Sequence, residues 1–170
     1  MAAVYRGYYA MSNNPRVNSK GMNTSAALGF TMGLYDLLKN QRPTHIGVAF
    51  DLAKPTFRHE VYSEYKAHRD PMPEEIESNL PWICRIIDAF RIPRLTCEGF
   101  EADDLLGTAA RLANEQGISA YILTGDRDSL QLVGGGTRII LTRKGITESP
   151  WYDPWYFWFA RFWQSPSSRQ

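Results

Sequence analysis

A chain of 170 residues with 44% hydrophobic content can bury one core and is too short for two full domains, so a single α/β domain is the starting expectation. Its formal net charge of +1 excludes a global electrostatic signature of nucleic-acid or membrane binding, which leaves local clustering of charge as the informative feature. No segment approaches the roughly 20 apolar residues of a membrane span, and the opening MAAVYRGYYAM lacks the basic-then-apolar order of a secretory leader, so a cytoplasmic chain with no membrane partner is expected.

In chain order, AAVYRGYYA reads as a first helical segment, and the polar, turn-rich residues 12–21 form the loop that follows it. From Thr24, the residues Leu28, Thr31, Met32, Tyr35 and Leu38 recur at steps of three and four, predicting a helix that turns this stripe to the core and ends near residues 39–40. Residues 44–51 (THIGVAFD) are a short apolar run ending in a carboxylate, which suits a buried parallel strand with Asp51 at its carboxyl end. A basic and aromatic stretch over 54–69 is closed by Pro71 and Pro73. The next helix runs from Glu74 toward Arg91, with Pro81 kinking or restarting it. Strands at 94–97, 119–124 and 138–142 enclose an amphipathic helix over 101–116. Such alternation predicts a doubly wound, mostly parallel sheet with helices on both faces.

Cys84 and Cys97 fall in apolar stretches without metal-ligand spacing and read as reduced core thiols of a cytosolic protein. After Pro150 the character changes. Nine of the thirteen residues from Trp151 to Trp163 are aromatic, so 1–150 is read as the domain and 151–170 as an aromatic tail unrelated to it.

Three successive strands finish in acid: Asp51, then Glu101, Asp103 and Asp104, then Asp126 and Asp128. Open α/β sheets hold their sites outside those strand ends. Each acid has an ordinary structural use, in a turn, beside a helix dipole or as a helix cap. Six like charges at one edge, however, require a neutralising cation, and hard oxygen ligands without His or Cys select Mg²⁺ or Mn²⁺ over zinc. Two-metal phosphodiester hydrolysis follows from that donor set, one ion activating water and the other stabilising the leaving oxygen.

Between the first two acid groups lie Arg58, Tyr62, Tyr65, Lys66 and Arg69, where cations that hold phosphates interleave with rings that stack on unpaired bases. If this stretch is helical, Tyr62, Tyr65, Lys66 and Arg69 share one face. The competing reading is a solvated surface helix in which Glu60 and Glu64 pair with the cations. Arg6 and Lys20 are further candidate phosphate contacts, while Tyr5, Tyr8 and Tyr9 read as core or surface aromatics.

The segments VAFD, PTFRHEVYSEYKAHRDPMP, EGFEADDLLGTAA and ILTGDRDSLQLV, in this order and spacing, resemble the 5′ nuclease domain of bacterial DNA polymerase I, over residues 3–152. The resemblance implies a PIN-like, resolvase-like α/β fold. It also implies 5′-3′ exonuclease and structure-specific flap endonuclease activity in DNA replication and repair, on DNA with 5′ ends or flaps, with two Mg²⁺ ions and a monomeric state. It assigns metal ligation to Asp51, Glu101, Asp103, Asp104, Asp126 and Asp128. The scissile phosphate would be gripped by Arg58, Tyr65, Lys66 and Arg69, with Arg6 as a contact from the first helix. That family also begins with a strand carrying another metal-binding Asp, before the segment matching AAVYRGYYA, and continues into a helix-hairpin-helix region. The expectation is therefore a fold lacking its first strand and an incomplete metal site. The alternatives are a catalytically impaired DNA-binding remnant and a PIN-like ribonuclease, the latter disfavoured by the basic segment and the EADD spacing.

Overall fold

The computed structural model describes residues 2–141 and 151–152, and the chain divides into two compact units, 1–105 and 106–170. The predicted aromatic tail lies outside the described residues except for Trp151–Tyr152.

In the first unit, α1 (Ala2–Ala10) and α2 (Ser25–Gln41) precede β1 (Val48–Ala49), and three short helices follow: α3 (Phe57–Val61), α4 (Glu74–Glu77) and α5 (Leu80–Ala89). β2 (Arg94–Leu95) then pairs with β1 in parallel, Val48 opposite Arg94 and Ala49 opposite Leu95. The ladder is shorter than the apolar run at 44–51 suggests. It stops at Pro93, whose carbonyl accepts from Val48 but which has no N–H to give back. Pro81 sits in the first turn of α5, where a missing N–H costs nothing, so the helix restarts there as expected.

The core of this unit is Val4, Ala26, Phe30, Leu34, Ile76, Ile83, Ile87 and Ile92. The sequence reading of α2 has to be corrected in part: Leu38 of the predicted stripe packs against this core, but most of the stripe does not. Leu28, Met32 and Tyr35 are 39%, 54% and 54% exposed, while Ser25, Ala26, Phe30, Gly33 and Leu34 are buried. Both faces of α2 carry apolar residues at helical spacing, and the small residues decide between them. At Gly7 and Gly29 the backbones of α1 and α2 meet so closely that neither position has room for a Cβ.

Asn79 is a buried polar junction. Its side-chain oxygen accepts from Ala27 N at 3.2 Å, and its amide donates to the carbonyls of Asn23 and Glu75 at 2.7 and 2.6 Å. Those bonds tie the start of α2 to the α4–α5 connection. Asn79→Ala takes the described side-chain partner from Ala27 N and from the Asn23 carbonyl in a site that is 1% exposed, while the Glu75 carbonyl keeps its bond from Ser78 Oγ. We expect a loss of about 2–3 kcal/mol, read from urea denaturation. A loss within 0.5 kcal/mol, about the scatter of surface substitutions, would refute the role of Asn79.

The second unit holds most of α6 (Ala102–Glu115), then β3 (Ala120–Thr124), a 3₁₀ helix (Arg127–Leu132) and β4 (Thr137–Leu141). β3 and β4 run parallel through five residue pairs, from Ala120–Thr137 to Thr124–Leu141. β5 (Trp151–Tyr152) adds antiparallel to β4. Ala110, Ile122, Ile139 and Leu141 form the core here. Both units thus contain the parallel pairing that the alternation of elements predicts.

Both cysteines are free thiols, as expected, but only Cys84 is half-buried and Cys97 is exposed. Its stretch leaves the sheet after Leu95 and turns toward Gly99, which stands at φ +80°. No described helix is long and apolar enough to cross a membrane.

Candidate functional site

In the first unit the basic segment is fastened to the loop that precedes α6. Thr56 forms a parallel bridge with Gly99, and Phe57 N donates to Gly99 O at 3.1 Å. Phe57 packs on Phe100 with ring centroids 5.8 Å apart, and the Arg58 guanidinium lies 4.5 Å from the Phe57 ring. The start of α3 is closed by His59, whose Nδ1 accepts from Thr56 N at 3.0 Å. His59 also meets Tyr65 edge-on at 5.3 Å. The sequence reading did not single out Thr56, Phe57, His59 or Phe100; the Thr56–His59 spacing of a capping box was the available clue.

The segment is not one helix. α3 ends at Tyr62, whose backbone is extended at φ −142°, and a series of turns follows through Arg69. Lys66 stands at φ +62°, a left-handed conformation uncommon for a residue with a side chain. The predicted shared face of Tyr62, Tyr65, Lys66 and Arg69 therefore does not form. Tyr62 is exposed and donates to Glu64 at 3.3 Å, whereas Tyr65 and Lys66 turn toward the acids.

Those acids surround the N-terminus of α6. Asp51 Oδ1 accepts from Ala102 N at 2.9 Å, and Asp104 Oδ2 accepts from Glu101 N at 2.9 Å, so two carboxylates satisfy backbone N–H groups that the helix itself leaves open. The helix-terminus reading holds for Asp104, whereas Asp51, read as a turn residue, serves the same helix end from another part of the chain. Their second role is electrostatic. Arg58 grips Asp104 with two hydrogen bonds of 2.7 Å each and approaches Glu101 at 3.9 Å. Lys66 Nζ donates to Glu101 Oε1 at 2.7 Å, and the Tyr65 hydroxyl donates to Glu101 Oε2 at 3.3 Å. The cations pair with the strand-end acids and not with Glu60 or Glu64. Asp103 is exposed on the first turn of α6.

The Arg58 hydrogen bonds hold the Asp104 carboxyl below its ordinary range, helped by the Glu101 N–H, and the same bonds raise Arg58 above the usual arginine value. A depressed carboxyl contributes stability above its unfolded value, about 3.9, and loses it as pH falls through the folded value. The gap in thermal midpoint between the native chain and Asp104→Asn should therefore be constant from about pH 7 to 5 and close below about pH 4. Circular dichroism melts across that range check it, and a gap that does not begin to narrow as pH falls below about 4 contradicts the pairing.

In the second unit, Asp126 and Asp128 follow β3 and are exposed. Asp126 caps the 3₁₀ helix, its Oδ1 accepting from Asp128 N at 2.9 Å, while its own N–H donates to Thr124 Oγ1 at 3.1 Å. Arg6 is half-buried on α1, and this desolvation lowers its guanidinium below the ordinary arginine value. Lys20 is exposed in the loop after α1, and Arg69 is exposed at the end of the turns. Neither makes a described contact with the carboxylates.

Carboxylate oxygens without His or Cys suit a hard divalent cation in kind. Glu101, with only 12% of its side chain exposed, draws an ammonium, a guanidinium and a hydroxyl donor to itself. The cluster thus already collects positive charge from Lys66 and Arg58. Among the described residues, no three His, Cys, Asp or Glu side chains are grouped closely enough to hold one ion.

A family model described as the 5′-3′ exonuclease, N-terminal resolvase-like domain matches residues 1–156. DNA polymerase I of Bacillus subtilis is 41% identical over 151 residues, covering 88% of this chain and 17% of that protein. DNA polymerase I of Chloroflexus aurantiacus is 42% identical over 154 residues, covering 89% and 16%. The chain thus spans about a sixth of the length of these curated relatives. Among solved structures, T5 5′-exonuclease with bound zinc matches with a TM-score of 0.57 at 19% identity, covering 86% of this chain and 54% of that one. A bacteriophage T5 flap endonuclease in a pseudo-enzyme-product complex with DNA and metal ions matches with a TM-score of 0.56 at 22% identity, covering 86% and 55%. These likenesses show the resolvase-like α/β fold.

Proposed function

The chain belongs to the 5′-3′ exonuclease, N-terminal resolvase-like domain family, and from that premise we propose that it takes part in hydrolysing DNA phosphodiesters at 5′ ends and flaps. The observation that carries this reading is the seating of Arg58, Tyr65 and Lys66 directly on Glu101 and Asp104. Phosphate-binding cations and metal-binding oxygens are thereby within one cluster, which is the arrangement a phosphodiester needs at its scissile bond.

Asp51, Glu101, Asp103 and Asp104 would hold divalent cations, and the same chemistry is proposed for Asp126 and Asp128. Bound Mg²⁺ supplies an activated water and stabilises charge on the phosphate in flight. Arg58 and Lys66 neutralise the nonbridging oxygens of the phosphate, and Arg69 adds a cation from the same turns. Tyr62 and Tyr65 offer ring faces to unpaired bases near the 5′ end. Arg6 and Lys20 hold phosphates further along the strand. A monomer acting on DNA in the cytoplasm, in replication and repair, completes the proposal.

Cleavage of 5′-flap DNA by the chain with and without Mg²⁺ tests it, alongside linear duplex and single-stranded RNA. Metal-dependent cutting of the flap is expected. Folded protein that binds the flap but yields no products would leave a DNA-binding chain without catalysis, and preferential cutting of RNA would replace the substrate assignment. Lys66→Ala should weaken flap binding and reduce the slope of log K against log salt by about one, as the loss of a single phosphate contact predicts.

A further inference from the structure

We propose that Lys66 and Arg58 are exchangeable occupants of the acidic cluster. A divalent cation displaces them from Glu101 and Asp104, and the displacement releases residues 62–69 to present their cations to a phosphate. This inference rests on reading the cluster as a cation site.

Three features of the first unit carry it. Lys66 Nζ lies 2.7 Å from Glu101 Oε1. An Mg²⁺ ion on that same oxygen, at about 2.1 Å, would sit no farther than about 5 Å from the ammonium, and Arg58 would face it from Asp104. Two like charges so close in a half-buried site repel strongly, so the carboxylate can serve one of them well and not both. Secondly, the segment has little else to hold it. Among the described residues, past the Tyr62 N–Arg58 O bond that ends α3 and the edge-on His59–Tyr65 ring contact, the hydrogen bonds that tie 62–69 to other elements are those of Tyr65 and Lys66 to Glu101. Its fixed end is the Thr56–Gly99 bridge. Thirdly, Lys66 holds a backbone φ of +62°, a left-handed conformation uncommon for a residue with a side chain, at the same residue whose side chain is bonded to Glu101.

The consequence is a defined order of events. Before the cation arrives, Lys66 and Arg58 neutralise acids that would otherwise repel one another. After it arrives, the same two side chains are free of the carboxylates and carry positive charge at the point where a phosphate must bind. Metal loading and creation of the phosphate grip are then one equilibrium.

Mn²⁺ binding, measured by electron paramagnetic resonance on the full chain and on Lys66→Met and Arg69→Met, tests the exchange. Lys66→Met removes the competitor and should bind Mn²⁺ roughly tenfold more tightly, a coupling within the usual range for two linked sites. Arg69→Met removes an equal charge without touching the acids and should stay within about twofold of the native chain. Amide hydrogen exchange supplies a second readout that needs no variant. In the native chain, residues 62–69 should exchange faster at saturating Mn²⁺ than without metal. Equal or weaker Mn²⁺ binding by Lys66→Met, or exchange at 62–69 that does not respond to Mn²⁺ saturation, overturns the proposal while leaving the cation site intact. Failure of the native chain and both variants to bind Mn²⁺ overturns the cation site itself.

Discussion

Replacing Asp103 by alanine, or Asp126 by asparagine, is expected to reduce Mg²⁺-dependent cleavage of 5′-flap DNA by at least about a thousandfold, because the charge stabilisation that a catalytic metal supplies amounts to several kcal/mol. The two positions are chosen so that folding and catalysis separate. Both residues are exposed; Asp103 stands in the first turn of α6, where an acid is worth about 0.3–1 kcal/mol with the helix dipole, and larger losses come from special features such as caps. Asp126 does have such a feature, since its Oδ1 caps the 3₁₀ helix through Asp128 N. Asparagine keeps that oxygen and removes only the charge, whereas alanine would also cost about 1 kcal/mol of capping. Cleavage rates measured on variants with native circular dichroism give the answer. Activity within tenfold of the unsubstituted chain at either position would remove that residue from the proposed ligand set.

The second large effect concerns the framework that carries the cluster. A Cβ at Gly29 would stand inside van der Waals contact of Gly7 Cα and 2.9 Å from the Gly7 carbonyl carbon and oxygen. All three atoms are backbone, so no side chain can swing aside and the two helices must separate. Separation would open the core that Val4, Ala26 and Phe30 share. Gly29→Ala should therefore lose about 3 kcal/mol or more, at or beyond the upper end of overpacking costs, in spite of the better helix propensity of alanine. Met32→Ala, one turn further along α2 where the side chain is 54% exposed, should change stability by less than about 1 kcal/mol. Urea denaturation of the two variants compares them directly. A Met32 substitution as costly as that at Gly29 would return the apolar stripe of Leu28, Met32 and Tyr35 to the core.

These two tests address different levels of the same object. The acids lie at the ends of strands and the start of a helix, positions set by short stretches of chain. Their electrostatic partners come from residues 35 to 46 positions away, which only the folded chain brings near.

That difference explains what was legible. The order of elements, the restart at Pro81, the parallel strands and the placing of Asp51 and Asp126 just past β1 and β3 follow from local rules: hydrophobic period, the missing N–H of proline and the alternation of strand and helix; β2, by contrast, ends at Leu95, well before Glu101. The motifs VAFD, EADD and TGDRD are likewise local and already identify the family. Which face of α2 is buried is not a local property, because its apolar residues repeat at helical spacing on two faces and the close approach of Gly7 to Gly29 selects one. The break at Tyr62 and the left-handed Lys66 are also beyond a helical-period argument. There the pull of a half-buried Glu101 on an ammonium and a phenol competes with continuing the helix. The sequence by itself determined which side chains could do chemistry and where along the chain they stand. Tertiary structure decided which of them meet, since an ion pair depends on distance in space and a periodic pattern constrains only direction along one element.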